Sequence, residues 1–400
     1  MIAMNKKFVD KSDYGNLLII APSYPDEHNT FIRGIFIKNQ IEALKFYFKN
    51  VYVIAPVFNS FKTLSKDKLC NDYSYDNVKV YFPRCHYIPI SYFNRILIDN
   101  RLAVITSLIK KKKLTFDLIH ADFTWPSGYI GVKLKEMYST PVVITIHENQ
   151  EWLKKEIDMS HQLLINTWKN ADVLVRVNKN DLELLNKFNK NSLCIPNGFA
   201  PKFKFQDKDE CRDRLNLPKN KKILFSVGAL IERKGFNYLI DSMEAITKSR
   251  SDCLCFIGGS GPLKEKLQKQ INNLNLHEFI KLVGFIPDNL LPIWMSACDM
   301  FVLPSLSEGN PTVMFECLGC GKPFIGTKVG GVPEVIKSND YGLLVEPGNA
   351  LDLAEKIEIA LNKNWDEGKI TNYAEQYLWE NIASQIMNIY HRSCPENYNL

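Results

Sequence analysis

Short apolar runs alternate with amphipathic stretches along the chain, and the alternation occurs in two successive halves. In the first half the apolar runs have the length of buried strands, and the stretches between them have helical spacing. The predicted strands are Asn16–Pro22, Val51–Val57, Phe116–Ala121, Pro141–His147 and Ala171–Val177. The predicted helices are Gly34–Leu44, Arg101–Ile109, Tyr129–Met137, Gln162–Lys169 and one from Asn178 to Lys187. This order predicts a parallel sheet covered by helices.

The second half repeats the alternation after a turn-rich junction near Pro196–Pro201. Its predicted strands are Lys222–Val227, Leu254–Ile257, Ile280–Val283, Met300–Leu303, Phe324–Gly326 and Gly342–Val345. Its predicted helices are Gly235–Ile246, one ending near Gln270, Pro292–Ala297 and a final amphipathic helix, Trp379–Tyr390. Two such halves predict two doubly wound α/β domains that face each other across a binding cleft. Ligands of such sheets bind beyond the carboxyl ends of the strands, which places the loop from Ser23 to Gly34 at a site.

The stretch from Phe301 to Ile336 carries the clearest chemistry. Glu308 and Glu316 follow a predicted strand with seven residues between them, and Asn310 is the expected N-cap of a helix between the two. The unpaired N–H groups of Asn310, Thr312 and Val313 at this helix start would bind phosphate, and the Thr312 hydroxyl could add to them. Carboxylates on both sides of a phosphate cradle fit a ligand with phosphate in its middle and hydroxyls at both ends, such as a nucleotide-sugar.

This Glu-x7-Glu pair and the following Gly330–Ile336 (GGVPEVI) resemble two signatures of glycosyltransferase family 4, a family of retaining enzymes. The resemblance also covers an IPNG junction, a KG loop, a GGSGP loop, a VGF segment and the terminal WENIA helix, and it is looser in the first half. It implies the GT-B fold: two facing Rossmann-like, doubly wound parallel-sheet domains, with a C-terminal helix that crosses back to the first domain. We expect an acceptor-side domain over residues 1–196, a donor domain over 197–376 and the crossover helix within 377–400.

The same resemblance assigns roles in the donor domain. Glu308 would hold hydroxyls of the transferred sugar and face the reacting centre, and Glu316 would bind the ribose of the nucleotide. Lys234, in the KG pair, would contact the diphosphate. A family arginine is replaced by Ala229 in this chain, so we expect Arg233 to reach the phosphates in its place; the alternative is that Arg233 is a solvated loop residue.

In the first domain the resemblance places His147 close to the donor sugar. Glu148 follows it where family members often have glycine, and Asp122 occupies the position of a family histidine and is a candidate acceptor contact, as is Gly34.

The nucleotide is expected to lie against two further loops of the donor domain. Gly259 and Gly261 would line its cleft, and its base would lie near Phe285 and Ile286, where backbone groups would contact it.

The Asp207-x-Asp209 pair fits the D-x-D pattern of metal-dependent glycosyltransferases of another fold, but it lies in a charged segment rather than after an apolar strand. We therefore expect no bound metal and no other cofactor.

Composition adds limits. Four hundred residues fit two domains, and a net charge of +6 permits contact with a nucleotide or anionic lipid without indicating nucleic acid. Cys253-x-Cys255 and Cys317-x-x-Cys320 are predicted to pack in the core, since the ten cysteines form no disulfide framework or zinc spacing. Unpaired thiols, no visible signal peptide and no apolar run of ~20 residues indicate a cytoplasmic protein.

One feature leaves two interpretations open. Lys110–Lys113 ends a predicted helix and follows an aromatic stretch, so it is either a solvated helix end or part of a membrane-surface patch. The aromatic residues are Tyr73, Tyr75, Tyr81, Phe82, Tyr87, Tyr92 and Phe93.

The function expected from the resemblance is retaining, metal-independent sugar transfer from a nucleotide-sugar to a glycan or lipid-linked acceptor, an activity of enzyme class EC 2.4. Such an enzyme would act in cell-surface polysaccharide or glycoconjugate synthesis, in the cytoplasm or on the inner face of the membrane. The alternatives are a sugar-nucleotide epimerase of the same fold and a non-catalytic protein that binds nucleotide-sugars or glycans.

Overall fold

The structure is a computed structural model that describes residues 14–59, 70–86 and 98–393. Its first sheet has eight strands in the order β10-β9-β8-β7-β1-β2-β5-β4, all parallel except for the antiparallel β4–β5 pair. A small separate sheet pairs β3 with β6. The strands of this half are β1 (Tyr14–Ile20), β2 (Phe48–Ile54), β3 (Val57–Asn59), β4 (Tyr73–Tyr75), β5 (Val78–Tyr81), β6 (Arg84–His86), β7 (Leu118–Asp122), β8 (Val142–Ile146), β9 (Val173–Arg176) and β10 (Ser192–Cys194).

Helices cover both faces of this sheet and bury its Val, Ile and Leu side chains in two core clusters. The helices described in this half are α1 (Ile35–Leu44), α2 (Ile98–Lys112), α3 (Tyr129–Tyr138), α4 (Gln150–Asp158), α5 (Gln162–Asn170) and α6 (Leu182–Asn186). This sheet and its helices are called the first domain.

The second sheet has six parallel strands in the order β13-β12-β11-β14-β15-β16. Its strands are β11 (Lys222–Val227), β12 (Cys253–Gly258), β13 (Ile280–Gly284), β14 (Met300–Leu303), β15 (Phe324–Thr327) and β16 (Gly342–Val345). Its helices are α7 (Lys208–Leu215), α8 (Phe236–Ser249), α9 (Lys264–Asn273), α10 (Leu291–Ala297), α11 (Thr312–Gly319), α12 (Val332–Val335), α13 (Ala350–Asn362) and α14 (Glu367–Ala374). The strand order reverses between β11 and β14, and such a switch point is where open α/β sheets bind ligands. This unit is called the second domain.

A last helix, α15 (Trp379–Ser393), returns to the first domain. Its buried side chains, including Trp379, Ile386 and Tyr390, belong to the core cluster of the first sheet. The Tyr390 hydroxyl also shares a hydrogen bond with the ring of His120 on β7. The crossover helix of the predicted fold is thus confirmed.

The chain passes between the domains twice, and the two passages run side by side. The Phe199 N–H donates to the Tyr377 carbonyl at 3.0 Å, and the Trp379 N–H donates to the Phe199 carbonyl at 3.1 Å. A Cβ at Gly198 would lie 2.8 Å from the Tyr377 carbonyl oxygen, so a glycine permits this close approach.

The burial of the cysteines confirms one expectation, and the burial of the aromatic residues can be described for part of their stretch. Cys253, Cys255, Cys317 and Cys320 are each fully buried in the second domain, which confirms core packing. The aromatics Tyr81 and Phe82 are buried, and Tyr73 and Tyr75 pack against the first core. Tyr87, Tyr92 and Phe93 lie outside the described residues. No helix in the described ranges has the length and apolar character to cross a bilayer.

Candidate active site

Two loops of the second domain meet at the switch point between β11 and β14. One leads from β11 to Lys234, which ends a short helical turn, Glu232–Lys234. Gly235 follows with a positive φ of 64°, and a Cβ there would lie 2.1 Å from the carbonyl oxygen of Pro304 in the loop after β14. Glycine in the KG pair therefore provides both the left-handed turn and the close contact that sets Lys234 beside the second loop.

Glu308 lies in that second loop and is hydrogen-bonded to Lys234 and Arg233. Its Oε1 accepts from the Lys234 ammonium at 2.5 Å and from the Ser305 hydroxyl at 2.7 Å, and its Oε2 accepts from the Arg233 guanidinium at 2.9 Å. Burial alone would raise the pKa of Glu308, but Lys234 and Arg233 outweigh burial and lower it below its ordinary value. The carboxylate is therefore ionised at neutral pH, with two cations beside it.

His147 faces this cluster from the first domain, directly after β8. Its ring packs between Phe36 and Phe123, with ring centroids 4.9 Å from each. Its Nε2 pairs with Asp122 Oδ1 at 3.0 Å, and Asp122 is 1% exposed. Asp122 therefore orients His147, while a contact between Asp122 and an acceptor stays a prediction.

A cavity of about 340 Å³ separates the two domains at this point and is lined from both sides. The structure brings to its wall seven of the residues predicted from the sequence. They are His147, Arg233, Lys234, Glu308, Asn310, Thr312 and Val313.

The helix start beside Glu308 differs from the prediction in one respect. Pro311, with an extended backbone, is the N-cap of α11, so the assignment of Asn310 as the cap is wrong. The Asn310 amide instead donates 2.5 Å across to the Val177 carbonyl of the first domain, which removes it from the capping position. The predicted phosphate contacts of Asn310, Thr312 and Val313 stay a prediction.

Glu316 lies on α11 and is 7% exposed. Burial raises its pKa to about 8; Asp288 raises it further, and Lys202 acts in the opposite direction. Within the described part of the chain, its Oε2 has no hydrogen-bond partner. A buried carboxyl with an open oxygen is a suitable partner for the hydroxyls of a ligand.

Replacing Glu316 by glutamine is expected to change stability in a pH-dependent way. The pKa of Glu316 is about 8 in the folded chain against an ordinary value of 4.5, so folding disfavours its ionised form. Its contribution to stability is greatest below pH 4.5 and is lost as the pH rises toward 8. Urea unfolding of Glu316→Gln should therefore give a free energy of unfolding that gains on the wild type between these pH values, and a constant difference would contradict the argument.

The predicted nucleotide loop has a structural reason for its glycines. A Cβ at Gly259 would lie 1.8 Å from the Gly228 carbonyl oxygen, and one at Gly261 would lie 2.4 Å from that of Leu230. Both glycines let this loop pack on the loop after β11, and neither lines the cavity. Their contact with a nucleotide stays a prediction.

The remaining predicted contact residues, Phe285, Ile286 and Gly34, are not among those that line the cavity. Phe285 is 45% exposed, whereas Ile286 is buried and packs against Gly258. Gly34 is the N-cap of α1 with a φ of 78°, and a Cβ there would lie 2.4 Å from the Ser23 carbonyl oxygen. Their roles with base and acceptor stay predictions.

Comparison with known proteins identifies the second domain. Residues 207–377 match the family model of glycosyl transferases group 1. The second domain is a group 1 glycosyltransferase domain. The TuaC protein of Bacillus subtilis, provisionally named a teichuronic acid biosynthesis glycosyltransferase, is 28% identical over 361 residues, which cover 87% of this chain and 86% of TuaC.

Solved structures share the whole two-domain arrangement. Sucrose-phosphate synthase from Thermosynechococcus elongatus aligns with a TM-score of 0.77 at 21% identity, covering 95% of this chain and 98% of its own. HepE from Anabaena in complex with UDP-glucose aligns with a TM-score of 0.72 at 19% identity, covering 94% and 99%. The fold is therefore GT-B as expected, and the chain is a glycosyltransferase.

The domains of this glycosyltransferase are joined beside the cavity by side-chain hydrogen bonds. The amide of Asn178 donates to the Gly309 carbonyl at 3.0 Å, and that of Asn197 donates to the Asn310 carbonyl at 2.7 Å. The Glu334 carboxylate, from the GGVPEVI segment, accepts from the backbone N–H groups of Lys179 and Asn180 at 2.7 and 3.0 Å. These contacts hold the Glu308 loop against the first domain.

The sequence patterns did not single out every residue at the site of the glycosyltransferase. Phe36, Phe123, Asn149 and Asn197 also line the cavity. Asn197 belongs to the IPNG junction, which was a usable signal. Phe36 lies on a predicted helix whose apolar pattern predicts only packing in the core. Its position in the cavity depends on the tertiary structure and could not be predicted from that pattern.

The Asp207 and Asp209 pair has a local role in the glycosyltransferase. Asp207 is the N-cap of α7 and accepts from the Glu210 N–H at 2.9 Å, and Asp209 lies in the first turn of the same helix. No group of three or more His, Cys, Asp and Glu side chains arranged to hold a metal ion occurs within residues 14–59, 70–86 and 98–393.

Proposed function

We propose that this glycosyltransferase is a retaining, family 4 type enzyme that transfers a sugar from a nucleotide-sugar to a glycan or lipid-linked acceptor. One observation carries the proposal. Glu308, flanked by Lys234 and Arg233, lies at the switch point of the second sheet and faces His147 across a cavity between the domains. This arrangement offers cations for a diphosphate and a carboxylate for sugar hydroxyls within one site.

The contacts of Glu308 support a sequence of events at the donor. An incoming diphosphate competes with Glu308 for Lys234 and Arg233, since both cations are within hydrogen-bond reach of the Glu308 carboxylate. As the phosphate oxygens take over these cations, the carboxylate becomes available to accept hydrogen bonds from the sugar. The positive charges of Lys234 and Arg233 then lie where the leaving group develops negative charge. Stabilisation of that charge is an electrostatic contribution to catalysis.

Retention of configuration would follow from attack on the face that the leaving group vacates. The bond from the anomeric carbon to the diphosphate oxygen breaks, and the acceptor oxygen bonds to that carbon on the same face. The acceptor proton passes to the departing phosphate oxygen. His147, oriented by Asp122, would face the sugar during this step.

The comparisons support the class of donor and the setting of the reaction. The HepE structure of the same fold holds UDP-glucose, so a nucleotide-sugar is the natural donor to propose. TuaC carries a name from teichuronic acid biosynthesis, which supports a role in making a cell-surface polysaccharide or glycoconjugate. We place the enzyme in the cytoplasm, at the inner membrane face when its acceptor is lipid-linked.

Thermal-shift measurements with UDP-, GDP- and ADP-sugars test the proposal. At least one should raise the unfolding temperature, and proton NMR of the slow hydrolysis of that donor should show release of the sugar with its anomeric configuration kept. Conversion of the donor into an epimeric nucleotide-sugar would identify an epimerase instead. A bound donor that is never turned over would favour the non-catalytic binding protein, and no response to any donor would overturn the proposal.

The metal-independence of the reaction gives a further prediction. Lys234, Arg233 and the N-terminus of α11 supply the positive charge that a metal ion supplies elsewhere. Transfer rates measured with excess EDTA should equal those measured with added Mg²⁺ or Mn²⁺. A rate that EDTA removes and Mn²⁺ restores would contradict the prediction and return attention to Asp207 and Asp209.

A further inference from the structure

Two polar atoms in the first-domain wall of the cavity have no partner in the described part of the chain. They are Nδ1 of His147 and Oε2 of Glu148, which follow β8 consecutively. Both atoms are buried, and both residues line the cavity between the domains. Because buried polar atoms are nearly always hydrogen-bonded in folded proteins, an open pair at a cavity indicates a ligand that completes it.

The Glu148 carboxyl is fixed by its other oxygen. Oε1 accepts from the backbone N–H of Thr124 at 2.7 Å. Thr124 is fully buried, and its hydroxyl accepts from the Trp168 indole N–H at 3.0 Å. The hydrogen bond to Oε1 fixes the carboxyl, so a ligand that binds Oε2 would lose little side-chain entropy of Glu148 on binding.

The place of Glu148 in the first domain argues against a contact with the donor's phosphates. Lys234 and Arg233, the cations proposed for the diphosphate, belong to the second domain, whereas Glu148 lies beside His147 on the first-domain wall. No lysine or arginine of the described ranges pairs with the Glu148 carboxyl by hydrogen bond. Burial raises the pKa of Glu148, while His147 and Arg176 act in the opposite direction, and Arg176 is itself paired with Asp181. Such a carboxyl bonds a neutral hydroxyl in either protonation state, as donor when protonated and as acceptor when ionised, but it disfavours an anionic group.

We infer that Glu148 is a specificity-determining residue that binds a hydroxyl of the acceptor and selects a neutral sugar over a uronate or phosphate at this subsite. The inference rests on the proposed function, because it takes the cavity as the place where donor and acceptor meet. It extends that function by assigning the chemical class of the acceptor unit that contacts the first domain.

Calorimetric titration tests this assignment. The protein is first saturated with whichever of UDP, GDP and ADP binds it, and is then titrated with methyl glycosides of neutral hexoses, N-acetylhexosamines and hexuronic acids. The wild type should bind at least one neutral glycoside. It should bind every uronic acid glycoside more weakly than that neutral glycoside, or not at all. Glu148→Ala should weaken that binding about 3- to 10-fold, as expected for one lost hydrogen bond, and Glu148→Gln should restore most of it because an amide offers both a donor and an acceptor.

The matched control is Glu151→Ala, three residues along in the first turn of α4, where the side chain is exposed. It should bind like the wild type. The inference is overturned if no neutral glycoside binds the wild type, if uronates bind better, or if Glu148→Ala binds glycosides normally. It is also overturned if Glu148→Ala loses nucleoside diphosphate affinity to the same extent, since that marks a structural role. If no nucleoside diphosphate binds the wild type, the proposed function fails first, and the inference fails with it.

Discussion

Transfer activity is expected to fall by about 10²- to 10³-fold or more when Glu308 is replaced by glutamine. The carboxylate is the only group in its loop that contacts Lys234, Arg233 and Ser305 together within the described chain. Glutamine keeps the shape and one acceptor oxygen but removes the charge. In the proposed mechanism, the cation-like transition state would then lose the stabilising negative charge of Glu308. The rate of product formation under saturating donor measures the effect.

The same substitution leaves two cations beside a neutral side chain, so some loss of stability is expected with it. Lys234 is 13% exposed and Arg233 is 36% exposed, and solvent therefore screens part of the imbalance. A fall of about 1–3 kcal/mol in the free energy of unfolding is consistent with a folded variant. Glu346→Gln, which breaks an exposed ion pair with Lys328, is the matched control and should change neither quantity appreciably. Normal turnover by the Glu308→Gln variant would contradict the catalytic role assigned to Glu308.

Replacing Lys234 by alanine should weaken donor binding by about 2 kcal/mol or more, which is roughly a 30-fold rise in Kd. The ammonium is largely buried, so its contact with phosphate would be poorly screened, and its removal also leaves Glu308 with Arg233 as its one remaining cation in the described structure. Lys234→Ala therefore removes one contact to the phosphate and also makes the site less positive before the donor binds. Calorimetry with the donor found by thermal shift measures the change.

Lys266→Ala is the control for this variant. Lys266 forms an ion pair with Glu232 in the same loop region, but both side chains are 68% exposed, and surface pairs of this kind contribute little. Equal donor affinity in Lys234→Ala and the wild type would refute the phosphate contact. Arg233→Ala tests whether Arg233 contacts the phosphate. A loss of donor affinity in this variant would show that Arg233 takes the role of the family arginine that Ala229 replaces.

Strand and helix positions could be predicted from the sequence because both sheets are buried on two faces. A strand such as Met300–Leu303 is then a continuous apolar run, and the structure has the same limits. Short edge elements carry no such signal. The strand Tyr73–Tyr75 was not predicted, since it pairs antiparallel at the edge of the sheet and is only partly buried.

At the site, residue types were predictable but partners were not. The motif pointed to Glu308 and Lys234, yet their direct contact depends on how closely Gly235 lets two loops approach. Asn310 shows the converse. Its residue type is a good N-cap, but its amide nitrogen donates to the Val177 carbonyl of the other domain, and its Oδ1 caps no helical N–H in the described structure. Local propensity could not predict that outcome, because the accepting carbonyl is more than a hundred residues away in the chain.

The path of α15 has a consequence for biosynthesis. The second domain is formed by one continuous stretch of chain and can fold as soon as that stretch leaves the ribosome. The first domain needs Trp379, Ile386 and Tyr390 to complete its core, and these residues are made only after the whole of the second domain. Although its sheet is translated before the second domain, this domain is therefore the second to mature. The surface of α1 and β8 that packs against α15 stays exposed in the nascent chain until α15 is made. Stop codons placed before residue 379 should thus yield a folded second domain joined to an aggregation-prone first one.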